Sequence, residues 1–235
     1  MRLRVATYNV RKCIGLDWRR DPDRVLGVIN LLDADVVVLQ EADRRFGKRI
    51  ATLSHSSLRD AGWHPVDLAP HDGGIGWHGN AVLVRNGIET EAIHRVRLPA
   101  LEPRGAVIVD LAAPGGPLRV VGAHLGLTRA MRVRQAHHIV HEVGELAARP
   151  TVIMGDLNTW HPTGGSIAVL AGRYALVPPA PTFHASRPVA ALDRIALSHD
   201  IALRDQGVMR DGGATVASDH LPLWADIEVG EGAAA

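Results

Sequence analysis

The sequence predicts an α/β chain whose sheets are mixed rather than purely parallel, and three observations predict it. Short runs rich in Val, Ile and Leu recur from VATYN near the start to WADIEV near the end, and read as buried strands. In the first half they alternate with segments of helical spacing, as crossover connections require. Further along, short turns bearing Gly and Pro separate them, as in hairpins. The chain has 235 residues, 46% of them apolar, enough to fill the core of one generous domain. One domain over 1–229 is expected, with a disordered tail, GEGAAA, over 230–235.

The elements follow in order. Residues 3–10 read as a strand. Asp21-Pro22 starts a helix, with Asp as the cap and Pro in the first turn, and Val25, Val28, Ile29 and Leu32 fall at helical spacing. Residues 35–40 return as a strand, and a second helix is predicted from Arg45 to Asp60, stopped by Ala61-Gly62. Strands follow around 80–85, 88–97, 104–112 and 118–124, with Arg85-Asn86-Gly87 and Pro114-Gly115-Gly116-Pro117 as hairpin turns. A helix over about 130–147 carries Ala136, Ile139, Val140, Val143 and Leu146 on one face. A strand at 151–155, a short helix at 166–171 and strands at 193–198 and 220–229 complete the chain. VVVLQE and VIMGDLN form a faint internal echo, each an apolar run ending in an acid after a helix.

Composition narrows the function classes. Net charge is +1, without the basic excess of a strong non-specific nucleic-acid binder. Cys13 is the single cysteine, which excludes an internal disulfide and a zinc-thiolate site and reads as a buried, inert thiol. The opening MRLRVATYNV runs straight into a strand, and no apolar run reaches membrane-spanning length. A cytoplasmic protein without a transmembrane segment is therefore expected.

The chemistry sits at the ends of strands. VATYN ends at Asn9, VVVLQE at Glu41, VVGAH at His124 and VIMGDLN at Asp156 and Asn158. Asp193 precedes RIALS, and Asp219-His220 precedes LPLWADIEV. If the last two strands run antiparallel to the first four, every tip falls on one edge of the sheets. Carboxylates and amides with few thiols suit Mg²⁺ or Mn²⁺, ions that usually act on phosphates. In GDLN a Gly turn lifts Asp156 out of the sheet, where its carboxylate can orient or deprotonate water, while the neutral amide of Asn158 can donate to a phosphate oxygen. Glu41, an acid directly after apolar strand residues, is costly to bury unless paired or metal-bound. Asp193 can accept from one nitrogen of His220 and leave the other for substrate.

Other features point elsewhere. Of thirteen histidines, His137 and His141 have the i, i+4 spacing of a metal pair but, with His138, read as a solvated helix face. His71, His78 and His161 could rim the pocket, and the Gly-rich stretch 73–79 reads as a lid or turn, since no Walker-type lysine follows it.

The series TYNVR, LQEAD, GNAVLVR, EPRGAVIVDL, GAHLGL, GDLNTW, LDRIALS and SDHLPLWADI resembles the endonuclease/exonuclease/phosphatase superfamily from Arg4 to about Glu228. The resemblance implies a four-layer sandwich, two packed mixed sheets flanked by helices. It implies a divalent ion, Mg²⁺ or Mn²⁺, held by Glu41 with Asn9 and Asp219 nearby. It implies Asp156 acting on the attacking water, Asn158 and His220 holding the phosphate, Asp193 orienting His220, His124 near the leaving group and Arg104, in EPRG, on the phosphate. The chain lacks room for the long insertions with which nucleases grip duplex DNA or lipid-cleaving members meet membranes. The expected function is a phosphodiesterase acting on a small molecule, a lipid head group or a short nucleic acid. A DNA endonuclease or exonuclease is the alternative, and a non-catalytic binding module on the same fold the second.

Overall fold

A computed structural model describes residues 1–44, 50–99 and 104–230. Its twelve strands form two six-stranded sheets. The first holds β1 (Arg2–Asn9), β2 (Val36–Gln40), β3 (Trp63–Pro65), β4 (Ala81–Arg85), β11 (Ile201–Val208) and β12 (Leu223–Val229), in the order β11-β12-β1-β2-β4-β3. The second holds β5 (Glu89–Arg97), β6 (Gly105–Ala113), β7 (Gly116–His124), β8 (Thr151–Asp156), β9 (Ala175–Leu176) and β10 (Asp193–Leu197), in the order β5-β6-β7-β8-β10-β9.

Both sheets are mixed, as the connections required. In the first, β1 and β2 are parallel and joined through helix α1 (Pro22–Leu31); in the second, β7 and β8 are parallel and joined through α3 (Arg129–Gly144). Antiparallel strands flank each parallel pair: β12 and β4 in one sheet, β6 and β10 in the other. The echo between VVVLQE and VIMGDLN has this basis, because each is the second strand of a βαβ unit.

Period-two alternation builds the layers. Val5, Val36, Val38, Val82 and Val84 of the first sheet face Val107, Val109, Val120, Val152, Met154 and Ile195 of the second in one buried cluster. Their neighbours point outward. Ala6, Tyr8, Val37, Leu39 and Leu83 pack on Val25, Val28 and Ile29 of α1 and Leu58 of α2 (His55–Asp60). Ile108, Val121, Ile153 and Ala196 pack on Ile139 and Val143 of α3 and Ile167 and Leu170 of α4 (Ser166–Ala171). The result is helix, sheet, sheet, helix. The tight approach of the sheets shows at Gly122, where a Cβ would stand 2.7 Å from Val38 Cγ1. The expected cap is present, Asp21 accepting from Arg24 N at 2.9 Å, and Thr128 caps α3 through Met131 N at 3.4 Å.

The structure corrects several expectations. Among the described residues, the helix predicted over Arg45–Asp60 covers His55–Asp60, started by Ser54, which accepts from Ser57 N at 3.0 Å. Residues 45–49 lie outside the described residues. Ala51 instead bridges to Asp43, and Thr52 N donates to Ala42 O at 2.8 Å, so tertiary pairing overrides local propensity. Arg85-Asn86-Gly87 turns, with Gly87 at φ +86°, but β4 and β5 belong to different sheets. Turn chemistry specifies a reversal and not a partner, and Ile88 drops into the space between the sheets. By contrast, Pro114-Gly115 closes a true hairpin, with Ala113 opposite Gly116. The stretch 73–79 is a pinned turn: Ile75 is buried, its N–H donates to Asp43 Oδ1 at 3.0 Å, and Trp77 bridges Asn80. Strands β3, β9 and β11 were not anticipated. Of the expected tail 230–235, Gly230 alone is described, its N–H donating to Asp200 O at 3.1 Å, and 231–235 lie outside the described residues.

Candidate active site

The site lies where the inner faces of both sheets reach one edge. Along β1, Val5, Thr7 and Asn9 share a face; along β8, Val152, Met154 and Asp156 share one. Strand β12 runs antiparallel to β1 and β10 antiparallel to β8, the condition that brings the polar tips together. In the second sheet the register itself aligns three site residues, His124 opposite Asp156 and Asp156 opposite Asp193. The first sheet brings Asn9 across the gap, and the segment just before β12 brings Asp219 and His220.

Asp156 is the hub. It is 2% exposed, and its Oδ2 accepts from Asn9 Nδ2 at 3.0 Å. The same oxygen lies 3.3 Å from His124 Nε2 and 3.7 Å from His220 Nε2. Its Oδ1 accepts from the Asn158 N–H at 2.9 Å. Gly155, at φ +152°, is required here, since a Cβ would stand 1.8 Å from Ala123 O on the parallel neighbour. Asn158, at φ +50°, turns the chain out of the sheet, its Nδ2 donating to Leu125 O at 2.9 Å.

Behind the hub stands the acid–imidazole pair. His220 Nδ1 donates to Asp193 Oδ2 at 2.8 Å, and Thr182 Oγ1 donates to the same oxygen at 2.5 Å. Burial opposes a charge on His220. The Asp193 carboxylate, through charge and hydrogen bond, and then Asp156 and Asp219, outweigh it and push the imidazole up to about 10. His220 is therefore an imidazolium at neutral pH, with Nε2–H directed toward Asp156. Phe183 packs on its ring at 5.1 Å between centroids, and Trp160 meets Phe183 at 5.8 Å, forming a rim.

A second pair of acids lies at the same edge, on the side of the first sheet. Glu41 and Asp219 are half-buried, and each faces a basic side chain that the strand-end pattern did not single out. Lys12 Nζ donates to Glu41 Oε2, and Arg11 Nε lies 3.5 Å from Asp219 Oδ2. Both come from a turn in which Arg11, Lys12 and Cys13 have φ of +46°, +55° and +58°. Three successive non-glycine residues in the left-handed region cost about 1 kcal/mol or more each. The surroundings hold them there: Cys13 is buried, its N–H donates to Val10 O at 2.7 Å, and Lys12 N–H donates to Glu41 O at 3.2 Å. No sequence signal marks such a turn, because left-handed residues are usually recognised as Gly or Asn.

The donor set at this edge fits a divalent ion. Asn9, Glu41 and Asp219 offer the amide and carboxylate oxygens that a hard cation prefers, with no thiolate among them. Asn9 Oδ1 already accepts from Arg11 N at 3.1 Å and keeps its second lone pair. Among the described residues, one group of three His, Cys, Asp or Glu side chains, Asp156, Asp193 and His220, has ligand atoms all within 4.8 Å of one another and could hold a metal ion in place of the imidazolium proton. His137 and His141 are outside that group, while His138 and His141 face Glu142 and Glu145 at 3.8 Å along the helix. Arg104 stands half-buried immediately before β6, its carbonyl accepting from Leu98 N at 3.2 Å. His71 and His161 are exposed.

Two mixed sheets thus close on a carboxylate–imidazole–amide cluster. Residues 6–220 match the Endonuclease/Exonuclease/phosphatase family, and the chain belongs to it. The uncharacterized protein YbhP of Escherichia coli (strain K12) is 32% identical over 163 residues, which is 66% of this chain and 64% of YbhP. The chain thus spans less than two thirds of that relative's length. In fold it is similar to an endonuclease/exonuclease/phosphatase from Beutenbergia cavernae DSM 12333, with a TM-score of 0.75 at 23% identity, covering 97% of this chain and 72% of that one. D. rerio TDP2, complexed with single strand DNA product, aligns with a TM-score of 0.71 at 16% identity over 97% and 99% of the two chains. No helix among the described residues is long and apolar enough to cross a membrane.

Proposed function

We propose that this protein is a divalent-cation-dependent phosphoesterase that cleaves a P–O ester bond by direct attack of water. The reading favours a phosphodiester substrate from a small molecule, a lipid head group or a short nucleic acid. The observation that carries it is the Asp156 carboxylate, which gathers Asn9 at 3.0 Å, His124 at 3.3 Å and His220 at 3.7 Å while Asp193 holds His220 at 2.8 Å. A carboxylate fixed by donors from both sheets can position a water in line with phosphorus without having to reorganise.

In this reading Asp156 orients the water and takes its proton. His220, kept cationic by Asp193, and the amide of Asn158 receive the charge that develops on the phosphoryl oxygens. His124 serves the leaving-group side, and Arg104 contacts the phosphate. Glu41, Asn9 and Asp219 hold Mg²⁺ or Mn²⁺. Such an ion supplies charge neutralisation and polarisation of the phosphoryl group.

The test is a panel of bis-p-nitrophenyl phosphate, p-nitrophenyl phosphate and plasmid DNA, with Mg²⁺, Mn²⁺ or excess chelator, run on the parent and on Asp156→Asn. Cation-dependent turnover of the diester, lost in the variant, is expected. No turnover of any ester, or equal turnover by the variant, overturns the reading. The nuclease alternative has one observation behind it, the likeness of the fold to TDP2 in complex with single strand DNA product. Nicking of plasmid faster than turnover of the small diester would favour it.

A further inference from the structure

We propose that Lys12 is a built-in competitor for the cation at Glu41. Its ammonium sits on the carboxylate that a divalent ion would need, so cation affinity is set by how readily Lys12 leaves. This rests on the reading above, in which Glu41 is the principal cation ligand.

The contact is constructed rather than incidental. Glu41 itself has φ +54°, and Lys12 has φ +55°, so both backbones are in the left-handed region where they meet. Their main chains are joined as well, Lys12 N–H donating to Glu41 O at 3.2 Å. Arg20 fixes the turn from the other side, donating from Nη1 to Lys12 O at 2.6 Å. The paired side chains are mostly sheltered, 29% exposed for Lys12 and 20% for Glu41, so water screens their charges only in part.

The two neighbouring cations of the turn are not equivalent. Arg11 faces Asp219, and its guanidinium also lies over the Trp18 ring at 4.9 Å, so it is held from two directions. Lys12 carries a point charge on a flexible four-carbon stem, the group better suited to exchange partners. A divalent ion arriving at Glu41 meets a like charge on the carboxylate and must displace it. The released ammonium then stands beside the cation side of the pocket, where a phosphate would meet it.

The experiment is calorimetric titration of Mn²⁺ into the full chain, comparing the parent with Lys12→Met, Lys12→Asn, Lys12→Arg and Glu41→Gln, without substrate. Methionine keeps the stem and removes the charge; asparagine removes the charge and tolerates the left-handed backbone. Both should bind Mn²⁺ about 10-fold more tightly than the parent, the order expected when a partly sheltered like charge is removed. Lys12→Arg should stay near the parent, and Glu41→Gln should lose the binding. Unchanged or weaker binding in both neutral variants, with Glu41→Gln still silent, overturns the competition and leaves the cation reading intact. Parent-like binding by Glu41→Gln overturns both. Melting curves for each variant separate these outcomes from a failure to fold.

Discussion

Asp193→Asn removes one charge and little else. The side chain is fully buried, and its Oδ2 receives His220 Nδ1 at 2.8 Å and Thr182 Oγ1 at 2.5 Å. Asparagine keeps the volume and an acceptor oxygen. What it loses is the main influence that keeps His220 charged against burial. A rise of the imidazole from 6.5 to about 10 corresponds to at most about 5 kcal/mol of folded-state preference for the imidazolium. The folded value is the higher one. The stabilisation is therefore complete below pH 6.5 and is lost as pH rises through about 10. Asp156 and Asp219 retain a share, so the variant should be less stable than the parent by about 2–4 kcal/mol in mildly acidic buffer. The gap should narrow steadily toward pH 10. Urea melts across this window measure it, and turnover of the diester should fall by on the order of 10²-fold, with His220→Ala adding little in the double mutant. A stability gap that does not change with pH, or fully additive rate losses, would refute the coupling of the two residues.

Three further outcomes are expected. Asp156→Asn should lower kcat by roughly 10²–10⁴-fold with a much smaller change in KM; a variant that keeps near-native kcat would remove Asp156 from the chemistry. Excess chelator should abolish turnover, with Mg²⁺ or Mn²⁺ restoring it, while Glu41→Gln should raise the cation concentration needed beyond the range that saturates the parent, without unfolding the protein; full activity in chelator would contradict this. Gly155→Ala should destabilise by about 3 kcal/mol or more, or fail to fold, because its Cβ would stand 1.8 Å from Ala123 O; a native-like melt would show that the strand can shift aside.

Much of the site was legible because a strand has a period of two and an end. Once β8 is placed, Asp156 must follow Met154 on the inner face, and the register of β7 and β10 then brings His124 and Asp193 beside it. The Asp193–His220 pair was legible from chemistry, since an acid orients an imidazole by accepting from one of its nitrogens. Lys12 and Arg11 were not, because their direction depends on three left-handed residues held by contacts far along the chain. Thr182 was hidden for a similar reason: its contact with Asp193 is made from the loop before β10. The helix expected over Arg45–Asp60 failed where Ala51 and Thr52 found partners near Ala42, a choice local propensity does not record.

The order of strands also sets the order of assembly during synthesis. All the strands of the second sheet, β5 to β10, lie between Glu89 and Leu197 as one uninterrupted stretch. The first sheet is split, with β1 to β4 made early and β11 and β12 made last. Strand β1 gains its neighbour β12 only when Leu223–Val229 have emerged. Asp219 and His220 arrive in that same final segment. On the ribosome, the Asp156 side of the pocket can thus form while His220 is still untranslated, and a nascent chain cut before residue 219 carries half a pocket.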